Sequence, residues 1–282
     1  MCIRDSYNFS SVFAWNVFLY TGFMLVVLIY LWVMMTPQMC GYVRSVGVVA
    51  LIWRLILTSG TGAIFGFLVA RDAYDTAIMV PLFILMSLSL GMAVFWVSIL
   101  TMCRWNGYRV APELSEKLRR LSAVFVLGVL FLMALHHLTN IYMAHHQGIE
   151  RFLLVDGGVY PWLFWLGFVL CGSIVPVWWY LDRRFCSPAW TVTTALMVIV
   201  GGLCHLYVTI IGAQAYPLRL VSGYRVDSGF YDGEITRYVP TLPELALGIG
   251  GVSLALLMTM VAVRVLPFLP TVTRPLPGSN QG

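Results

Sequence analysis

Polar and apolar positions fall into long blocks in this chain rather than into a short amphipathic repeat. Seven apolar runs are separated by polar connections, and each run is close to the ~20 residues a helix needs to cross a bilayer. They predict membrane-spanning helices over about 11–35, 44–70, 78–103, 121–146, 160–181, 190–213 and 245–268. The second and third are joined by the short stretch RDAYDTA, which makes them antiparallel neighbours. The longest connection, 214–244, reads as soluble and is rich in Tyr, Gly and Asp. Residues 1–10 form a polar lead whose first six, MCIRDS, are out of keeping with the rest and resemble translated adapter sequence. Residues 269–282 are a Pro/Gly-rich tail, expected to be disordered. The fold class that follows is an all-α integral membrane protein with a helical domain over 11–268.

Composition agrees. The chain is 60% hydrophobic and 10% charged, with mean hydropathy +0.86, whereas soluble domains carry roughly a quarter charged residues. The net charge of +5 comes from arginines spread through the connections, so it points to a bilayer and not to nucleic acid. The six cysteines (Cys2, Cys40, Cys103, Cys171, Cys186, Cys204) form no CxxC pair, which argues against an iron–sulfur cluster or c-type haem held by this chain. No cleavable signal peptide is evident, because the first apolar run is long and lacks a small-residue cleavage site.

Loop arginines orient the spans. Arg44, Arg104, Arg109, Lys117, Arg119, Arg120, Arg183, Arg184 and Arg274 share one side; Arg4, Arg71, Arg151, Arg219, Arg225 and Arg237 lie on the other, diluted by most of the acidic residues. The positive-inside rule then puts the 104–120 loop in the cytoplasm and the 147–159 and 214–244 loops outside.

Candidate chemistry concentrates at 131–151, FLMALHHLTNIYMAHHQGIER, which holds four of the five histidines: His136, His137, His145 and His146. Asn140 follows His136 by one helical turn and His137 by three residues, so the three face one groove. His136 and His137 sit about 24 Å along the fourth run from Arg120, and His205 sits about 22 Å along the sixth from Trp190, at matched depth. Three readings fit: haem b ligation, a quinone or proton site using imidazoles that titrate near neutrality, or structural hydrogen bonding between helices. His145 and His146, beside Gln147 and Glu150, read as interfacial.

Arg54 lies roughly 15 Å into the second run, where a guanidinium is costly and by default marks a functional site. Thr58, Ser59 and Thr61 continue that region, and Gly60 and Gly62 permit close helix approach. Asn16 and Tyr20 in the first run are further pocket candidates. An anion transporter built on Arg54 is a competing class; it predicts a matching broken helix, and the sequence has none. A plain membrane anchor for a redox partner is another.

Three stretches, taken in order, carry a resemblance: TGAIFGFLVARDAYDTAIMVPLFILMSLSLG (61–91), HHLTNIYMAHHQGIERFLLVDGGVYPWLFWLGFVLCGSIVP (136–176) and YVPTLPELALGIGG (238–251) followed by RVLPFLP. The chain resembles the NrfD/PsrC family, the quinone-interacting membrane subunits of polysulfide-reductase-type complexes, over nearly all of 7–270. Within it the chain is most similar to DsrP, from the sulfite-reductase-linked Dsr electron-transfer complex.

The resemblance implies eight to ten helices in two four-helix bundles, no haem, and a quinone pocket near the outer surface beneath an iron–sulfur (ferredoxin-like) subunit. It implies further membrane and cytochrome partners, a bacterial cytoplasmic membrane, and an exchangeable menaquinone or ubiquinone serving sulfur metabolism. His136 or His137 would take a quinol proton, Asn140 would orient the ring, and Arg54 with Thr58–Thr61 would form a polar route. His205 remains a cofactor-binding candidate. Tyr216, Arg219, Tyr224, Arg225 and Tyr231 would rim the partner's docking surface. Two departures stand out: seven spans predict an N-terminally truncated fragment, and Thr58 stands where the family often has histidine.

Overall fold

The computed structural model describes residues 9, 11–69, 71–105, 108–217, 235, 238–265 and 274–275. The expected docking residues Arg219, Tyr224, Arg225 and Tyr231 lie outside the described residues, as do the 1–8 lead and most of the tail.

In hydrocarbon no water satisfies backbone N–H and C=O groups, so uninterrupted apolar runs must bond within themselves as helices. Among the described residues seven helices are long and apolar enough to span a membrane. They are α1 (Val12–Met35), α2 (Val43–Gly66), α3 (Met79–Trp105), α4 (Pro112–Tyr142), α6 (Val159–Leu181), α7 (Pro188–Ala215) and α8 (Leu242–Val265). Between α4 and α6 lies a short helix, α5 (Gln147–Arg151), which runs on as the π-helical turn Phe152–Asp156. Wider π-helical winding also occupies Leu163–Ile174 of α6 and Val208–Gly212 of α7. A two-residue strand, β1 (Tyr108–Arg109), pairs antiparallel with β2 (Arg274–Pro275).

The ends of these helices depart from the hydropathy reading where local chemistry overrides it. α2 ends at Gly66: Phe67 N still makes the helical bond to Ala63 O at 2.9 Å, and Leu68 N then tightens into an i−3 turn on Phe65 O at 3.1 Å. α4 begins at Pro112, well before 121, since proline at the first position and Glu113 in the first turn both favour a helix start. α4 also stops at Tyr142, short of 146, and the expected 147–159 loop is largely helical. α7 is started by Ser187, whose side chain accepts from Trp190 N at 3.4 Å, with Pro188 next in line.

The described residues divide into two units. The first comprises residues 1–88 and 128–150. Lipid tails are as apolar as leucine, so helices associate here through close packing and hydrogen bonds. Trp53 Nε1 donates to Leu19 O at 3.0 Å, and Gly60 lies where a Cβ would come within 3.2 Å of Asn16 Oδ1. Gly62 lets α2 meet the start of α3, a Cβ there falling 2.8 Å from Val80 Cα.

The second unit comprises residues 89–127 and 151–282. Its core gathers Ala93, Trp96, Ala123, Val126, Tyr180, Ala195 and Val198, and Trp96 Nε1 donates to Ser122 Oγ at 3.1 Å. α6 and α7 cross at Gly172 and Gly201, where a Cβ on Gly201 would lie 2.2 Å from Gly172 Cα. Over 242–261 of α8 the large apolar side chains are exposed, among them Leu247, Leu254 and Val261.

Candidate functional site

The turn after α4 brings the candidate site together. Past Tyr142 the backbone closes with His146 N on Met143 O at 3.0 Å and Glu150 N on His146 O at 3.1 Å. This carries His146 and Glu150 back against the last turns of α4, where both are buried with His136, His137 and Asn140. All five belong to the first unit.

Asn140, 2% exposed, is the hub. Its Nδ2 donates to Glu150 Oε1 at 2.8 Å and lies 3.3 Å from His136 Nε2; its Oδ1 lies 3.3 Å from His146 Nδ1. Glu150, 3% exposed, has its other oxygen 2.6 Å from His137 Nδ1. These contacts set the proton positions. A carboxylate only accepts, so the amide nitrogen of Asn140 faces Glu150 and His137 carries its proton on Nδ1. Asn140 Oδ1 then accepts from His146 Nδ1–H, and Asn140 Nδ2–H donates to His136 Nε2. The neutral His136 ring therefore has its proton on Nδ1, and that buried N–H has no acceptor among the described residues. The site is thus a closed network with one outstanding donor.

Expected members arrive unequally. His136, His137 and Asn140 are brought together. His146, read as interfacial, is buried in the network, because α4 ends early and the chain folds back. His145 keeps its exposed position, 3.5 Å from Asp72 of the α2–α3 connection. That contact ties the connection to the His-bearing end of α4.

Arg54 is exposed on α2, its guanidinium 5.4 Å from the ring centre of Phe23, and has no hydrogen bond into the network. Thr58, Ser59 and Thr61 spend their hydroxyls on the α2 carbonyls of Arg54, Leu55 and Leu57 at 2.8–3.1 Å. Asn16 is buried between α1 and Gly60, while Tyr20 is exposed. His205 belongs to the second unit, stacked on Phe168 at 4.5 Å with Thr209 Oγ1 at 3.4 Å from Nδ1. Among the described residues no three His, Cys, Asp or Glu side chains converge as metal ligands.

Glu150, like His146, is a member that sequence reading left at the surface. The signal was present: a carboxylate one helical turn after His146, close behind a polar helix face that needs partners.

A family model for polysulphide reductase, NrfD, matches residues 1–217. The chain belongs to the NrfD family. Among curated proteins this NrfD chain is similar to the "Hdr-like menaquinol oxidoreductase integral membrane subunit" of Archaeoglobus fulgidus, at 27% identity over 94% of the chain and 67% of that protein. It is also similar to a Halobacterium salinarum protein named as a dimethyl sulfoxide reductase membrane subunit, at 27% identity over 78% of the chain. It spans 52% of that second protein's length. The NrfD network residues all fall inside the matched region.

Proposed function

We propose that this NrfD chain is the quinone-reactive membrane subunit of a multi-subunit oxidoreductase, passing electrons between a membrane quinol and an iron–sulfur protein docked on the outer face. The observation that carries the reading is the buried His136–His137–Asn140–His146–Glu150 network with its one outstanding donor, His136 Nδ1–H. The printed name of the Archaeoglobus relative favours menaquinol as the substrate, and both relatives' names favour membership of a larger complex. Sulfur metabolism, a DsrP-type assembly and a bacterial cytoplasmic membrane belong to the same proposal. The positive-inside count favours the outer side of the membrane for the network.

The residues divide the work. When bound, a quinol supplies two electrons and two protons. His136 Nδ1–H would hold a quinone oxygen by hydrogen bonding, filling its missing acceptor. His137 would accept one of these protons at Nε2 and release its Nδ1 proton to Glu150 Oε2, 2.6 Å away, and the second would follow the same route once Glu150 has passed the first to the outer face. Asn140 keeps Glu150 and His136 in register throughout. Arg54 stands outside this sequence of transfers.

The test is menaquinol-analogue oxidation by the assembled complex, comparing wild type with His137→Ala and Glu150→Gln. Loss of a general base is expected to lower turnover by about 10²–10⁴-fold with assembly intact. Unchanged turnover in both variants would overturn the assignment.

A further inference from the structure

The second unit holds a feature the quinone reading does not use. Arg119 of α4 is 4% exposed, a depth at which a guanidinium must be fully bonded. It donates to the carbonyls of Trp179 and Asp182 at 2.6 and 3.0 Å and contacts Cys186 Sγ. Its Nε–H nevertheless has no acceptor among the described residues, and neither does the buried hydroxyl of Tyr180. Both residues line one cavity of about 350 Å³, together with Arg120 and Arg183. A larger cavity of about 840 Å³ adjoins it, the two sharing Pro112, Ser115 and Cys186.

The larger cavity has a different character. Leu100, Val110, Pro188 and Val192 supply an apolar wall, and Arg104 and Arg109 stand among its lining residues. The single carboxylate lining either cavity, Glu116, is paired with Arg120. Among the described residues no acidic side chain pairs with Arg104, Arg109 or Arg183. The same region of the unit also carries an aromatic cluster, with Trp179, Phe185 and Trp190 ring centres 4.9–5.3 Å apart. Such rings favour the depth of lipid headgroups.

We propose that the two cavities form a seat for one anionic phospholipid, its phosphate among the arginines and Tyr180, its acyl chains along the apolar wall. Three independent features converge on that chemistry. Two buried donors need an acceptor, several arginines lack a counter-charge, and an apolar channel adjoins the polar one. The larger cavity alone, about 840 Å³, suits a ligand of lipid size better than a bare anion, since pockets of about 300–1,000 Å³ hold whole small molecules. A basic pocket between helices at the membrane surface is the arrangement by which headgroups are recognised.

Native mass spectrometry of the full chain in mild detergent tests this, with phosphatidylglycerol and phosphatidylcholine offered at equal concentration. The variants are Arg104→Gln, Arg109→Gln and Tyr180→Phe, which leave every Arg119 contact in place and whose folding is checked by unfolding temperature. Phosphatidylglycerol is expected to be retained in preference to phosphatidylcholine. Each arginine substitution should lower that retention about five-fold, and Tyr180→Phe about two- to tenfold. Equal retention of both lipids, or phosphatidylglycerol retention unchanged in all three variants, would overturn the proposal. A third arm adds inorganic phosphate: if it binds with the same arginine dependence and displaces phosphatidylglycerol, the site is for free phosphate and the lipid assignment fails.

Discussion

Replacing Glu150 separates a structural carboxylate from a spectator. Glu150→Ala would strand His137 Nδ1–H and Asn140 Nδ2–H, which it now accepts at 2.6 and 2.8 Å in a setting where all three residues are buried. Each buried donor left without an acceptor costs about 1–3 kcal/mol, so the pair amounts to about 2–6 kcal/mol. Against a total stability of about 5–15 kcal/mol this is a large fraction. Glu150→Gln is milder, because its amide oxygen still accepts from Asn140 while its amide nitrogen meets His137 only if that ring moves its proton to Nε2. Its expected cost is about 1.5–3 kcal/mol, one hydrogen bond to a charged group. The assay is denaturant unfolding of the detergent-purified chain, with the double variant His137→Ala/Glu150→Ala closing a cycle. A coupling of at least about 0.5 kcal/mol between the two sites is expected. An alanine variant within about 0.5 kcal/mol of wild type would refute the network, since a residue that bonds nothing costs nothing to remove.

Three further outcomes follow from the geometry. Gly201→Ala would place a methyl 2.2 Å from the backbone of Gly172; about 1–3 kcal/mol of destabilisation is expected, and unchanged unfolding would show that α6 and α7 do not cross there. Arg54→Gln should cost no more than about 1 kcal/mol, the worth of an exposed cation–π contact, and should leave quinol turnover intact; lost turnover in an assembled complex would draw Arg54 into the mechanism. Asp72→Asn removes the partner of the exposed His145, so a change of about 0–1 kcal/mol that fades with added salt is expected; a larger, salt-insensitive effect would mean Asp72 holds the α2–α3 connection by other bonds.

Much of the architecture was legible before any coordinates. An apolar run near the bilayer thickness has one way to satisfy its backbone, and the seven runs became seven long helices. Helical spacing also placed His136, His137 and Asn140 on a common groove of α4, where they meet. The resemblance to NrfD/PsrC proteins agrees with the family match over 1–217, which contains two of the three stretches that carry it.

Partners across a turn were beyond reach, because hydropathy reports how apolar a residue's neighbours in sequence are and not what it touches. Glu150 and His146 looked like surface residues at the end of an apolar run; the early stop of α4 and the helical turn at Gln147–Arg151 fold them inward. The depth of Arg54 along its run could be read, but not its place on an exposed side of α2, since depth along a helix says nothing about which side faces a neighbour. Arg119 was counted only as a loop charge, and its burial is set by carbonyls that arrive about sixty residues later. Segment length and apolar content therefore decide what each stretch becomes, since they act through the backbone locally. Which charges pair, and which donors are left waiting for a ligand, is decided only when turns and helix crossings bring distant residues within a bond length.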